Sequence, residues 1–168
     1  MEKRRRQSNK DGEGQRERSE FDQKVVEVKR VTRVMAGGKR MRFRALVVIG
    51  DHKGKVGVGL KKGMDVSDSV NKAVNSAKKN MLSLPLVNDT IPHQLKVKYK
   101  SSRLLLMPAK AGTGVIAGGA VRQVFDLAGV KNVVSKMFGS NNKVNNVKAV
   151  FEAFRQMRSK EQTAKMRK

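Results

Sequence analysis

Residues 112–119 read GTGVIAGG, set between an apolar run, LLLMPAKA, and an amphipathic one, AVRQVFDLAG. Gly112, Gly114 and Ala117 meet the pattern G-x-G-x-x-G/A, in which glycines at a strand-to-helix turn let the backbone approach a phosphate closely. The chemistry this would serve is nucleotide binding, and glycines alone do not supply it. A dinucleotide site also needs an acid about 20 residues after the first glycine, at the end of the next strand, to hold the ribose hydroxyls. That strand, ending near residues 134–137, carries Lys136 as its one charge, and the nearest acid, Asp126, lies inside the intervening helix. A P-loop requires a lysine directly after its second glycine, and none follows here. No nucleotide cofactor is therefore expected. Two readings of the turn remain: an anion cradle built from backbone N–H groups at a helix N-terminus, or close helix-to-sheet packing with no ligand.

Other chemistry is excluded by composition. The chain has no cysteine, so thiol nucleophiles, disulfides and cysteine-bound zinc are ruled out. His52 and His93 stand in unrelated contexts without catalytic companions and read as turn or surface residues. No catalytic residue, metal site or other cofactor is expected, and the chain is not expected to be an enzyme.

Charge is the dominant signal. In 168 residues, 38 Lys and Arg oppose 14 Asp and Glu, a net charge of +24. Such self-repulsion works against a compact state unless a polyanion neutralises it. Nucleic acid is that polyanion, since each phosphate contact releases condensed counterions. Aromatic residues make up only 4% of the chain, with no tryptophan, which argues against a series of stacked bases. Recognition through phosphates and shape, as A-form RNA requires, is expected instead. No apolar run approaches the roughly 20 residues that cross a bilayer, so no membrane partner is expected. Arg4, Arg5 and Arg6 are not followed by the apolar stretch of a secretory signal, and Glu2, Asp11, Glu13, Glu17 and Glu20 argue against an organellar transit peptide. A soluble cytoplasmic protein is expected.

These cations and glycines must be positioned by regular elements. Residues 1–20 hold one hydrophobic residue, Met1, and are expected to be disordered unless bound. Loose alternation over 25–35 predicts a first strand, followed by the glycine turn AGGKR. RMRFRALVVIG alternates cleanly, with Met41, Phe43, Ala45, Val47 and Ile49 on one face and Arg40, Arg42 and Arg44 beginning the other, which predicts a half-buried strand. GDHKG then reads as a hairpin turn. In KVGVGLKKG, Gly57 and Gly59 oppose Val56, Val58 and Leu60, which predicts either a close approach to the bare face or a tight bend. Asp65 caps a predicted helix over 66–82 with an inward stripe of Val66, Val70, Val74, Ala77 and Met81. SLPLVNDTIPH breaks the pattern as a linker. Strands are predicted at LKVKYK, LLLMPAKA and NVVSKMF, with a helix over 120–128 ended by Gly129. Val147, Val150, Phe151, Phe154 and Met157 mark a last helix. The expected division is a tail over 1–20, a β-β-β-α domain over 21–83, a linker over 84–92, an α/β domain over 93–158 and a basic tail over 159–168.

The order of these motifs is that of a known family. VKRVTRVMAGGKRMRFRALVVIGDHKGKVGVGLKKG, the helix VSDSVNKAVNSAKKNM and MPAKAGTGVIAGGAVRQVFDLAGVKNVVSKMFGSNN closely resemble the fifth protein of the bacterial small ribosomal subunit, over about residues 25–154. The resemblance implies an α+β fold: an N-terminal domain like a double-stranded-RNA-binding domain without its first helix, then a two-layer β-α-β-α domain with a left-handed crossover. It implies binding to small-subunit ribosomal RNA beside the fourth and eighth proteins of the subunit, close to incoming messenger RNA, with effects on decoding accuracy. In that family spectinomycin resistance arises in the loop between the first two strands, which corresponds here to residues 32–38. Thr32, Arg33 and Gly37 match that loop in kind, whereas Ala36 stands where the family often has a basic residue.

The RNA-contacting residues expected on these grounds are Arg30, Thr32, Arg33, Gly37, Gly38, Lys39, Arg40, Arg42 and Arg44 of the first strands and their loop. Lys53, Lys55, Lys61 and Lys62 follow, and Gly112, Gly114, Gly118, Gly119 and Arg122 would form the glycine cradle. A free-standing double-stranded RNA chaperone is the competing reading, separated by whether generic duplexes bind as tightly as ribosomal RNA. A small nucleotide-dependent enzyme is carried only by GTGVIA.

Overall fold

The first sheet grows around its most strongly patterned segment. β2 (Gly38–Gly50) lies between β1 (Asp22–Met35) and β3 (Lys55–Gly63), antiparallel to both. A short fourth strand, β4 (Met81–Ser83), pairs with the start of β3 and completes the order β1-β2-β3-β4. Helix α1 (Val66–Lys79) connects β3 to β4 and covers one face. The structure, a computed structural model, describes residues 21–159 together with 164 and 166. The disorder expected of residues 1–20 lies outside the described residues, as does most of the basic tail.

α1 differs from expectation at its end and in its buried stripe. It stops at Lys79 because Asn80 closes it: the Asn80 N–H donates to the Ala77 carbonyl at 3.0 Å, and its Nδ2 donates to the Ser76 carbonyl at 3.1 Å. Met81 and Leu82 then pair with Gly57 and Val56 as strand residues. The buried helix positions are Ser69, Ala73 and Ala77, while Val66 is 41% exposed and Val70 and Val74 sit half-buried at the flanks. The cause lies in β3. A methyl group on Gly57 or Gly59 would overlap the carbonyl oxygens of Ala77 or Ala73. The bare backbone of β3 therefore draws in the smallest stripe of the helix, and what approaches these glycines is α1.

Alternation predicts one buried face for β2, but from Ala45 to Gly50 every residue is buried. Ala45, Val47 and Ile49 meet α1, whereas Leu46 and Val48 join Val26 and Val56 in a larger core shared with the second half of the chain. That half contains β5 (Leu95–Tyr99), β6 (Ser102–Pro108), β7 (Val115–Ile116), α2 (Gly119–Ala128), β8 (Val133–Gly139) and α3 (Lys143–Gln156). Its sheet has the order β5-β6-β8-β7, with β7 and β8 parallel and joined through α2. β7, two residues inside the glycine stretch, was not expected. α2 contacts β1, β2 and β3 of the first sheet, and α3 contacts β5 and β6 of the second. The layers run α1, first sheet, α2 with α3, second sheet. The mixed α+β class, with three strands and a helix preceding an α/β unit, is the one expected. Residues 84–92 also contribute to the shared core, burying Leu84 and Ile91.

The two halves are fastened where the β2–β3 turn meets the end of α2. A helix leaves its last carbonyls without partners. Here the N–H groups of His52 and Gly54 donate to the carbonyls of Leu127 and Ala128, each at 3.0 Å. His52 also bonds the Asp126 carbonyl through Nδ1 at 2.8 Å and Asp22 through Nε2 at 3.0 Å. Within the turn, Asp51 Oδ1 accepts from the N–H of Lys53 at 2.7 Å and of Lys55 at 2.9 Å. Burial pushes the Asp51 carboxyl upward, but these hydrogen bonds, its own backbone and the Lys55 ammonium outweigh it and hold it below its ordinary value. The stabilisation is thus present above the ordinary carboxylate range and is lost as pH falls through the depressed value. Asp51→Ala should lower unfolding free energy by about 1 kcal/mol at neutral pH, with the gap to the parent closing in acid, measured by urea unfolding at several pH values.

Candidate nucleic-acid interface

The expected loop over residues 32–38 is mostly strand. β1 and β2 stay paired to Met35 and Gly38, leaving Ala36 and Gly37 as a two-residue turn, with Gly38 at φ +138°. β3 pairs with β2 only from Phe43 onward. Beyond that point the hairpin is a two-stranded arm about 16 Å long, at the usual strand rise. Its residues from Thr32 to Arg42 are all exposed, including Met41 at 58%, which alternation had placed on the core side. α1 does not extend far enough to cover it.

Register sorts the expected cations onto two faces. Arg33 lies opposite Arg40, Val31 opposite Arg42, and Arg44 between Lys29 and Lys62, so Arg33, Arg40, Arg42, Arg44 and Lys62 share the face that continues into Leu46 and Val48. Arg30 opposite Phe43, Thr32 opposite Met41, Lys39 opposite Val34 and Lys61 opposite Ala45 lie on the α1 side. Like charges directly opposite destabilise a sheet. Lys29 is paired with Glu27 at 3.4 Å, but among the described residues none of the other cations on the first face has a carboxylate partner. A groove of about 260 Å³ runs between them, lined by Val31, Thr32, Arg33, Met35, Arg40, Arg42 and Lys62. An anion with repeated charge fits this arrangement, because it would remove the mutual repulsion of the row.

Not every expected residue joins this site. Lys53 and Lys55 are exposed, but they lie at the opposite end of β2, roughly 40 Å from the tip of the arm at strand rise, on the turn docked against α2. Sequence reasoning also missed a second basic groove of about 320 Å³, lined by Lys61, Lys72, Asn75, Ser76 and Lys79. Lys72, Ser76 and Lys79 are spaced i, i+4, i+7, which places them on one helix face, and that spacing was the available signal. Lys72 is held by Asp68 at 2.8 Å. The Lys72 hydrogen bond in turn depresses the Asp68 carboxyl.

The glycine stretch lies at the far end of α2 from the docked turn. Gly112 and Gly114 have φ of +88° and +76° with open space around them, so they serve backbone conformation rather than close packing. The Gly114 N–H donates to Asn132 Oδ1 at 3.1 Å, and its carbonyl accepts from the Val133 N–H. Gly118 is the N-cap of α2, and Met137 reaches over it. Gly119 has open space around it, and Arg122 folds back to donate to the Val115 carbonyl at 2.9 Å. Among the described residues no cluster of His, Asp or Glu could hold a metal ion, and no helix is long and apolar enough to cross a membrane.

Two family models match the chain in sequence order. One, described as ribosomal protein S5, N-terminal domain, matches residues 21–85, and the other, described as ribosomal protein S5, C-terminal domain, matches residues 97–167.

Proposed function

Because the chain belongs to the ribosomal protein S5 family, a non-enzymatic, RNA-binding constituent of the small ribosomal subunit, we propose that its β1–β2 arm is the principal contact to ribosomal RNA. The observation that carries this reading is the row of Arg33, Arg40, Arg42, Arg44 and Lys62, exposed or half-buried and without carboxylate partners among the described residues. Thr32, Gly37 and Gly38 set the shape of the arm's end, while Arg30, Lys39 and Lys61 extend the contact around its edge. Lys53 and Lys55, together with Gly112, Gly114, Gly118, Gly119 and Arg122, would form separate and weaker contacts.

At the finer level, the protein supports assembly of a bacterial subunit and contributes to decoding accuracy where messenger RNA enters, beside the fourth and eighth small-subunit proteins. These roles are supported by the resemblance over residues 25–154 and by an arm that projects beyond the core. We divide the chain functionally at residues 84–92, with the arm's half binding RNA and the second half bracing it. The protein should co-sediment with small subunits at physiological salt, and recovery only in the free protein pool would end this reading. A reporter of misreading should also respond to substitutions in the arm.

A further inference from the structure

The second sheet has one covered face and one open face. α3 lies across β5 and β6 on the side of Val97, Leu104 and Leu106, while the alternate positions point away from the core. In register across β5, β6 and β8, one outward row is Lys98, Arg103, Phe138, and the next is Lys96, Leu105, Lys136. Phe138 is 49% exposed, and a groove of about 410 Å³ runs along Lys96, Lys98, Arg103, Leu105 and Phe138. None of the strands β5, β6 and β8 contains an acid, and none of these four cations has a carboxylate partner among the described residues.

We propose that this open face is a second RNA surface, selective for an unpaired segment, with one base stacked on Phe138 and neighbouring phosphates on Lys96, Lys98, Arg103 and Lys136. The chemistry follows from the row. Neighbouring strands are about 4.8 Å apart, so Arg103 lies one step and Lys98 two steps from the ring, within reach of the phosphates flanking a stacked base. A four-stranded sheet with helices behind it and an aromatic in front is a general way to hold splayed single-stranded bases. A single ring serves a single base, in keeping with the low aromatic content. The inference rests on the reading of the chain as an RNA-binding protein and adds a site whose selectivity differs from that of the arm.

The test uses the intact chain, a short oligouridylate and a duplex fragment of small-subunit ribosomal RNA. Phe138→Leu keeps an apolar side chain but loses the ring face, whereas Phe138→Tyr keeps the ring. Phe138→Leu should weaken oligouridylate binding about 5- to 100-fold, while Phe138→Tyr stays within about twofold of the parent. Duplex binding should be unchanged in both variants. If Phe138→Leu binds oligouridylate as the parent does, or if the parent binds duplex but no oligouridylate, the proposal is overturned and the face is left for another occupant, such as an acidic protein. Loss of duplex binding by the parent would instead overturn the broader RNA reading together with this one.

Discussion

Replacing Arg33, Arg40 and Arg42 together by glutamine is expected to weaken binding to a small-subunit ribosomal RNA fragment roughly 100-fold at about 0.15 M salt. Each lost phosphate contact on duplex-like RNA should also reduce the log-log salt slope by about 0.9, so the triple variant should be shallower by nearly 3. The fold should survive. All three side chains are exposed on the two-stranded arm, none has a carboxylate partner among the described residues, and Arg33 stands directly opposite Arg40. Relieving that like-charge pair should, if anything, raise the melting temperature slightly. Anisotropy titrations across a salt series, with thermal unfolding on the same samples, measure both quantities. A paired variant of Lys53 and Lys55, at the other end of β2, should lose far less. Equal losses in the two variants would mean that the arm is not the principal contact.

The second large effect concerns the joint between the halves. Gly129 ends α2 at φ +77°, and its N–H and that of Val130 close the helix onto Asp126 and Phe125 at 3.2 and 3.1 Å. A methyl group on Gly129 would overlap the carbonyl oxygen of His52, the residue that anchors the β2–β3 turn. Gly129→Ala therefore combines a left-handed backbone penalty of about 1–2 kcal/mol with an overpacking penalty of about 1–3 kcal/mol. A loss of about 2–5 kcal/mol in unfolding free energy is expected, read from urea denaturation. Gly112→Ala separates the two causes, because Gly112 has φ +88° but open space around it and should show the backbone penalty alone. If the two variants lose the same amount, the turn does not press on α2 as described.

Much of this fold was legible because its strongest signals are local. The alternation of RMRFRALVVIG, the glycine after α2 and the apolar spacing from Val147 to Met157 each depend on a single element, and each element is present. What was not legible depends on distant partners. Nothing local to Leu46 and Val48 says that α2, from the second half of the chain, will cover them. The valines of α1 outrank its alanines in any count of apolar residues, yet Ala73 and Ala77 are buried because Gly57 and Gly59 lie beneath them. β4 and β7 are too short to show a period and exist through pairing with β3 and β8. For the proposed interface, the expected residue types came from charge, whereas their grouping comes from strand pairing. Register divides Arg40 from Lys39 across two faces, and Lys53 and Lys55 lie at the opposite end of β2 from the arm.

The absence of native cysteine allows a single tethered probe, and this gives the most direct test of the arm as the ribosomal RNA contact. An iron chelate attached at Ala36→Cys, in the turn of the arm, should cut small-subunit ribosomal RNA in a compact set of sites when the protein is assembled into subunits. The same chelate at Lys53→Cys should cut weakly or elsewhere. Strong cleavage from position 53 with none from position 36 would contradict the assignment of the arm.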